Sequence, residues 1–221
     1  DVYKRQGPLG PDRVSEICRC YLGGYMPHYI FAALKTNGII ALRSVPQSKM
    51  RMAFRYPPPS SLIGALIFPL MYGRDRREVL VDKTGLKAFA EKFRDFFEYV
   101  AVSMPIEAKI YGSLLRINRF YRGKIESAVT SLPIGVLYGD FNWAIDVVYV
   151  FRDEVIEKSE YSYRDFERAA WGITRLGSRE SVVFTENVIA GKSEVRKEKS
   201  AKTRFSFIIS PNKVVSRGKY V

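Results

Sequence analysis

The chain has 221 residues, 47% hydrophobic and 27% charged, proportions that exclude a disordered, collagen-like or disulfide-stapled class and fit a protein built around a real core. Its 36 Lys and Arg against 23 Asp and Glu leave a net charge of +13, which favours an anionic partner such as RNA, DNA or an acidic membrane. Two cysteines (Cys18 and Cys20, in "CRC") have poor disulfide geometry, the single histidine, His28, leaves few general bases, and no membrane-length apolar run occurs. The expectation is a cytoplasmic protein without metal or cofactor.

Residues 1–25 lack a clear period and are read as a non-native or disordered leader, with Met26 as the expected start. From there "HYIFAALKT" has strand composition, and Asn37-Gly38 offers a turn before "IIALRSV". The segment "RSVPQSKMRMAFRY" then carries Arg43, Lys49, Arg51 and Arg55 with no acid, flanked by Phe54 and Tyr56. Pro57, Pro58 and Pro59 follow as a stiff rod. Ser60 is expected to cap an apolar helix starting near Ser61, in which Gly64 and Ala65 allow close approach and Pro69 kinks or ends the run.

"GLKAFAEKFRDFFEYVAV" reads as a second helix, with Leu86, Phe89, Phe93, Phe96, Phe97 and Val100 in one apolar stripe. Strands are expected at "EAKIYGSLLRINRFYR" and "WAIDVVYVFRD", and a short helix at "SYRDFERAAWGI" with Ser162 as its cap. Further strands are placed at "ESVVFTENVI" and "RFSFIIS". Strand, helix, strands, helix and strand point to an α+β, ferredoxin-like domain of the kind found in RNA-recognition modules. Its expected bounds are 26–155, followed by a β-rich C-terminal part, 156–221, that is either an extension or a second smaller ferredoxin-like unit. The ending "VVSRGKYV" reads as truncated.

Four features carry candidate chemistry. The first is the basic run from Arg43 to Arg55. The second is "SLLRINRFYRGK", where Arg116, Arg119, Arg122 and Lys124 interleave with Phe120 and Tyr121, cations for phosphates and rings for unpaired bases. Strand alternation would put Arg116, Phe120 and Arg122 on one face and Arg119 and Tyr121 on the other. The third is "GITRLGSRESVV", where Gly172, Gly177 and Ser178 form a tight loop with Arg175 and Arg179 beside amides that could cradle phosphate, or else Gly177 is an ordinary helix C-cap. The fourth is 191–221, with nine Lys or Arg against Glu194 and Glu198: a phosphate-tracking face or a solvated tail. Phosphate-loop, dinucleotide and zinc-protease motifs are absent, and Asp140, Asp146 and Asp153 are scattered. Metal-free RNA cleavage stays open, since a Tyr–Lys pair can assist attack by a 2′-hydroxyl.

"KMRMAFRYPPPSSLIGALIFPLMYG" resembles the signature of the Cas-five family of CRISPR-associated RAMP proteins, and "AAWGITRLGSRESVV" resembles a later block of its archaeal subtype I-A members. The resemblance covers roughly residues 28–195. It implies a ferredoxin-like RAMP domain within a Cascade surveillance complex, in antiviral defence. Such a subunit caps the backbone filament, grips the 5′ handle of the CRISPR RNA and contacts the backbone RAMP subunit through a thumb hairpin, placed here near 104–125. Other Cascade subunits are implied partners, target DNA is a further candidate ligand, and no membrane is involved. RNA-binding candidates are then Arg43, Lys49, Arg51, Phe54, Arg55, Tyr56, Arg116, Arg119, Arg122, Lys124, Arg175 and Arg179. The first reading is a non-catalytic scaffold; the alternative is a metal-independent endoribonuclease that processes repeat RNA, as subtype I-C relatives do.

Overall fold

The computed structural model describes residues 26–36, 38–42, 54, 56–74, 77–82, 85–104, 109–138, 144–178, 181–194 and 202–207, with backbone alone for 82, 109–121 and 125–138. The first strand, β1 (His28–Thr36), lies in a four-stranded sheet with β5 (Phe97–Ser103), β8 (Ala144–Phe151) and β9 (Val183–Lys192), in the order β5-β8-β1-β9. Every neighbouring pair is antiparallel. Taken in chain order these strands are first, second, third and fourth, so the sheet runs 2-3-1-4. That is the split β-α-β arrangement of a ferredoxin-like unit, with α1 (Pro59–Tyr72) between its first two strands and α3 (Tyr163–Trp171) between its last two. A short α2 (Asp153–Glu157) follows β8.

The boundary expected near residue 155 falls inside this unit. β9 hydrogen-bonds along the whole of β1, from His28 opposite Lys192 to Thr36 opposite Val183, so residues 183–192 complete the sheet that residue 28 begins. No second ferredoxin-like unit is formed by the described residues. Arg204–Phe207, expected as the start of a strand, is irregular, and Ile208–Ser210 lie outside the described residues.

The two faces of the sheet bury different side chains because strand residues alternate. Ile30, Ala32, Leu34, Ile145, Val147 and Tyr149 face α1 and α3, where Leu62, Leu66, Ile67, Phe166 and Ala170 complete the main core. The Tyr149 hydroxyl is buried and donates to the Leu62 carbonyl at 2.9 Å, tying sheet to helix; that burial pushes its pKa far above the usual tyrosine range. On the opposite face Tyr29, Phe31, Ala33, Val148 and Val150 are covered by Phe205. Beside it the Ser206 amide donates to the Val102 carbonyl at 2.8 Å, and Arg204 pairs with Asp146.

Three local expectations are corrected. The first helix begins at Pro59, not near Ser61, and Ser60 does not cap it: Pro58 is the N-cap residue and makes no side-chain cap bond. Proline suits the first helical position because its φ is already helical and it removes a donor that would lack a partner. Pro69 neither ends nor limits the helix, which runs on to Tyr72. A Cβ at Gly64 would meet nothing within 4 Å, so that glycine allows no close approach; the close approach is at Gly172, where a Cβ would sit 2.8 Å from the Pro69 Cβ.

The expected helix over 85–102 is instead β4 (Gly85–Ala88), a 3-10 helix (Phe89–Phe96) and then β5. β4 pairs with β3 (Val79–Asp82), which leaves Leu86 75% exposed and outside any stripe. Phe89, Phe93 and Phe96 do share a buried cluster with Tyr161 and Phe166, so their spacing was informative. From Phe97 onward, "FEYVAVS" is rich in residues that suit a pleated surface, and its pairing with β8 wins. The third helix forms as expected: the Ser162 hydroxyl accepts from the Asp165 amide, and Asp165 accepts from the Ser162 amide. That second bond is the main reason the Asp165 carboxyl is held below the usual carboxylate range.

Gly172→Ala is expected to cost about 1–3 kcal/mol, because the added methyl overlaps the Pro69 ring. Urea denaturation of Gly172→Ala, Pro69→Gly and the double variant checks this, since glycine removes the Pro69 Cβ. A cost for Gly172→Ala that stays the same in the Pro69→Gly background contradicts the contact.

Candidate nucleic-acid interface

The short strand β2 (Ile39–Ala41) belongs to a separate three-stranded sheet, ordered β2-β7-β6, with β6 (Lys109–Tyr121) and β7 (Lys124–Tyr138) forming one long hairpin. One edge of β2 pairs with the base of the hairpin, Ile39 opposite Tyr138 and Ala41 opposite Val136. At Ala41 the remaining backbone groups are taken by the loop after α3. The Ala41 amide donates to the Ser181 hydroxyl at 2.8 Å, and the Ser178 amide donates to the Ala41 carbonyl at 3.3 Å. One residue further on, the Leu42 carbonyl accepts from the Phe54 amide at 3.0 Å. The eleven residues 43–53 therefore leave from and return to one point.

Three of the sequence features thus have a common base at β2: the basic segment, the basic-aromatic hairpin and the glycine loop. Arg43, Lys49, Arg51 and Arg55 lie outside the described residues, but the two ends of the segment are joined. Phe54 is 39% exposed, whereas Tyr56 is half-buried against the main core.

The hairpin extends well beyond the 104–125 expected for the thumb, since its second arm reaches Tyr138. At about 3.3 Å per residue an arm of this length spans roughly 40 Å. Tyr121 pairs with Lys124, so Arg122 and Gly123 alone make the turn. Both have positive φ, 49° and 77°, which matches the twist of the strands. Arg122 therefore does not share a strand face with Arg116 and Phe120; it stands at the tip, where Arg122 and Lys124 are exposed. Arg119 lies opposite Glu126, and the register shifts between Leu115 and Ile117, beside Arg116.

The glycine loop has a different role from the expected phosphate cradle. The Leu176 amide donates to the Ser181 carbonyl and the Ser181 amide to the Ser178 carbonyl, while the Ser178 amide is used on Ala41. Gly177 is not the helix C-cap, which is Gly172. With φ at +95° and a Cβ position 2.9 Å from the Leu42 Cδ2 and 3.0 Å from the Ala41 carbonyl, Gly177 lets the loop close on β2. Arg175 is exposed, its guanidinium 4.8 Å from the Phe68 ring centre; Arg179 lies outside the described residues. Ser181, fully buried and bonded 140 residues away in sequence, had no signal that pattern reading could find.

Among the described residues no group of three or more His, Cys, Asp or Glu could hold a metal ion, and no helix is long and apolar enough to cross a membrane. Ser181→Ala is expected to leave the Ala41 amide buried without a partner, at a cost of about 1–3 kcal/mol. Hydrogen exchange at Ala41 checks it: faster exchange there than in β8 is expected, and unchanged exchange contradicts the clamp.

No family model matches the chain. It is 29% identical over 168 residues to a curated protein of Saccharolobus solfataricus, "CRISPR-associated protein Cas5 3", covering 72% of this chain and 63% of that one. The chain therefore spans less than two thirds of that relative's length. Among solved structures it is similar to a CRISPR protein from Archaeoglobus fulgidus, with a TM-score of 0.45 and 18% identity over 74% of this chain and 61% of that chain. With its ferredoxin-like sheet and this sequence relative, the chain is similar to a CRISPR-associated Cas5 protein.

Proposed function

We propose that this protein is a non-catalytic, CRISPR RNA-binding scaffold subunit of a type I-A Cascade complex, holding the 5′ handle and capping the backbone filament. The observation that carries the reading is the shared base at β2. Leu42 and Phe54 close the basic segment, Gly177 packs on Leu42, and the hairpin pairs with Ile39 to Ala41. The segments that carry the cations and rings are thereby rooted at one place. A single-stranded RNA needs this combination of phosphate contacts and stacking surfaces.

In this reading Arg43, Lys49, Arg51 and Arg55 hold handle phosphates, with Phe54 as a stacking surface and Tyr56 supporting it from the core. The hairpin is the thumb, reaching the backbone RAMP subunit, and Arg116, Arg119, Arg122 and Lys124 serve thumb and RNA together. Arg175 and Arg179 lie on the loop that clamps β2. The partners are the CRISPR RNA and other Cascade subunits, with target DNA as a further ligand, and the site is cytoplasmic.

One arrangement bears on the alternative, a metal-independent ribonuclease. His28 Nδ1 lies 3.1 Å from an Asp153 carboxylate oxygen, and the Tyr163 hydroxyl donates to Asp153 at 2.7 Å. The His28 and Tyr163 rings stack with centres 3.6 Å apart. This His–Asp–Tyr group sits at the start of β1, roughly 26 Å along the strand from the end that leads to β2, and so lies apart from the base that the basic segment and the hairpin share.

The test uses protein co-purified with its backbone subunit and compares handle RNA, scrambled RNA and matching DNA across a salt series in EDTA. Handle-selective binding with intact RNA is expected. Arg51→Ala should weaken binding and flatten the slope of log K against log salt by about 0.7, the value for one phosphate contact on a single strand. Equal weak binding to all three oligonucleotides, or a specific cut in the RNA, contradicts the proposal.

A further inference from the structure

The outward face of α3 is cationic and aromatic in a way that handle binding at β2 does not use. Phe166, Ala169 and Ala170 bury one side of the helix. At 3.6 residues per turn, Arg164, Arg168 and Trp171 fall within about 60° of one another on the opposite side. Both arginines are exposed, and Trp171 is 52% exposed. Past the helix end is Arg175, whose guanidinium lies over Phe68. Phe68 in turn stacks on Tyr72, 80% exposed, with ring centres 6.4 Å apart.

Of the two acids beside this stripe, Asp165 is paired and Glu167 lies one turn from Arg164. Asp165 lies on the flank towards α1, where it closes the helix cap and pairs with Arg74 at 3.1 Å. Arg168 adds only a minor part of the field at Asp165. Glu167 is on the other flank and half-buried. Among the described residues Arg164 forms no ion pair. A solvated helix face has no need of a tryptophan more than half exposed between unneutralised arginines. A ring beside guanidinium groups suits a strand of unpaired nucleotides, with phosphates on the arginines and a base on Trp171.

We propose that the Arg164–Arg168–Trp171 face of α3 is a second binding track for single-stranded nucleic acid, separate from the basic segment at β2. Arg164 and Arg168 are one turn apart, so their side chains reach adjacent points along a single strand. The guide RNA outside its handle and an unpaired DNA strand share the chemistry that this track recognises.

The test is fluorescence. The chain has two tryptophans, Trp143 and Trp171, so a Trp143→Phe background leaves Trp171 as the sole reporter. The probes are 15-nucleotide oligo(U) and oligo(dT), added to the full chain. Saturable quenching of Trp171 is expected, and it should persist when Arg51→Ala removes a handle contact. In the otherwise native chain, followed by probe anisotropy, Arg164→Gln/Arg168→Gln should lower the salt slope by about 1.4, or 0.7 for each lost contact. A preference for oligo(U) assigns the track to RNA and a preference for oligo(dT) to DNA. Absence of quenching, or a slope unchanged by the double substitution, overturns the proposal. So does a double variant that binds both probes normally but no longer co-purifies with the backbone subunit, which would make the face a protein interface.

Discussion

The arrangement of the candidate RNA-binding elements depends on the backbone of one residue, Ala41. A strand of three residues has little stability of its own, and β2 persists because both its sides are occupied. The hairpin pairs along one edge, and at Ala41 the amide and carbonyl on the other side are met by Ser181 and Ser178. A buried amide without a partner is costly, so the strand and the loop after α3 stabilise one another at the base of the hairpin. Gly177 is the residue that makes this approach possible, since its backbone is left-handed and any side chain would meet Leu42.

This constraint explains how a segment with four cations and no acid can be presented at all. Residues 43–55 repel one another, and like charges favour an open chain. The bond from Phe54 to the Leu42 carbonyl closes the segment at its base, and the three prolines that follow carry the chain directly into a helix with seven buried side chains. The triple proline therefore acts at the end of the segment, as a rigid lead-in whose last member is already the first helical residue. The apolar helix anchors the end of the segment, and Tyr149 locks that helix to the sheet.

Much of the fold was legible from pattern. β1, β6, β8 and α3 fall close to where strand composition and the Ser162 cap put them, because each is specified by residues close together in sequence. The misread segment, 85–102, shows the limit. Phe89, Phe93 and Phe96 repeat at helical spacing, and Phe97 and Val100 extend that spacing by coincidence into a strand whose place is decided by β8, nearly fifty residues later. Similarly, nothing near residue 185 announces that it pairs with residue 34. The site shows the same division. Cations and rings were visible as composition, but the common base was not, since it is built from a three-residue strand, two serines and a glycine joined over 140 residues. The tryptophan-arginine face of α3 was visible only as an amphipathic helix until exposure was known.

The central claim is that β2 gathers the basic segment, the hairpin and the loop after α3 into one RNA-binding unit. Hydrogen–deuterium exchange of the complex with its backbone subunit, with and without handle RNA, tests this most directly. The account predicts that RNA protects peptides covering 39–56, 174–182 and the hairpin together, while the β3–β4 hairpin is unchanged. Tight RNA binding that leaves 39–56 unprotected would contradict it.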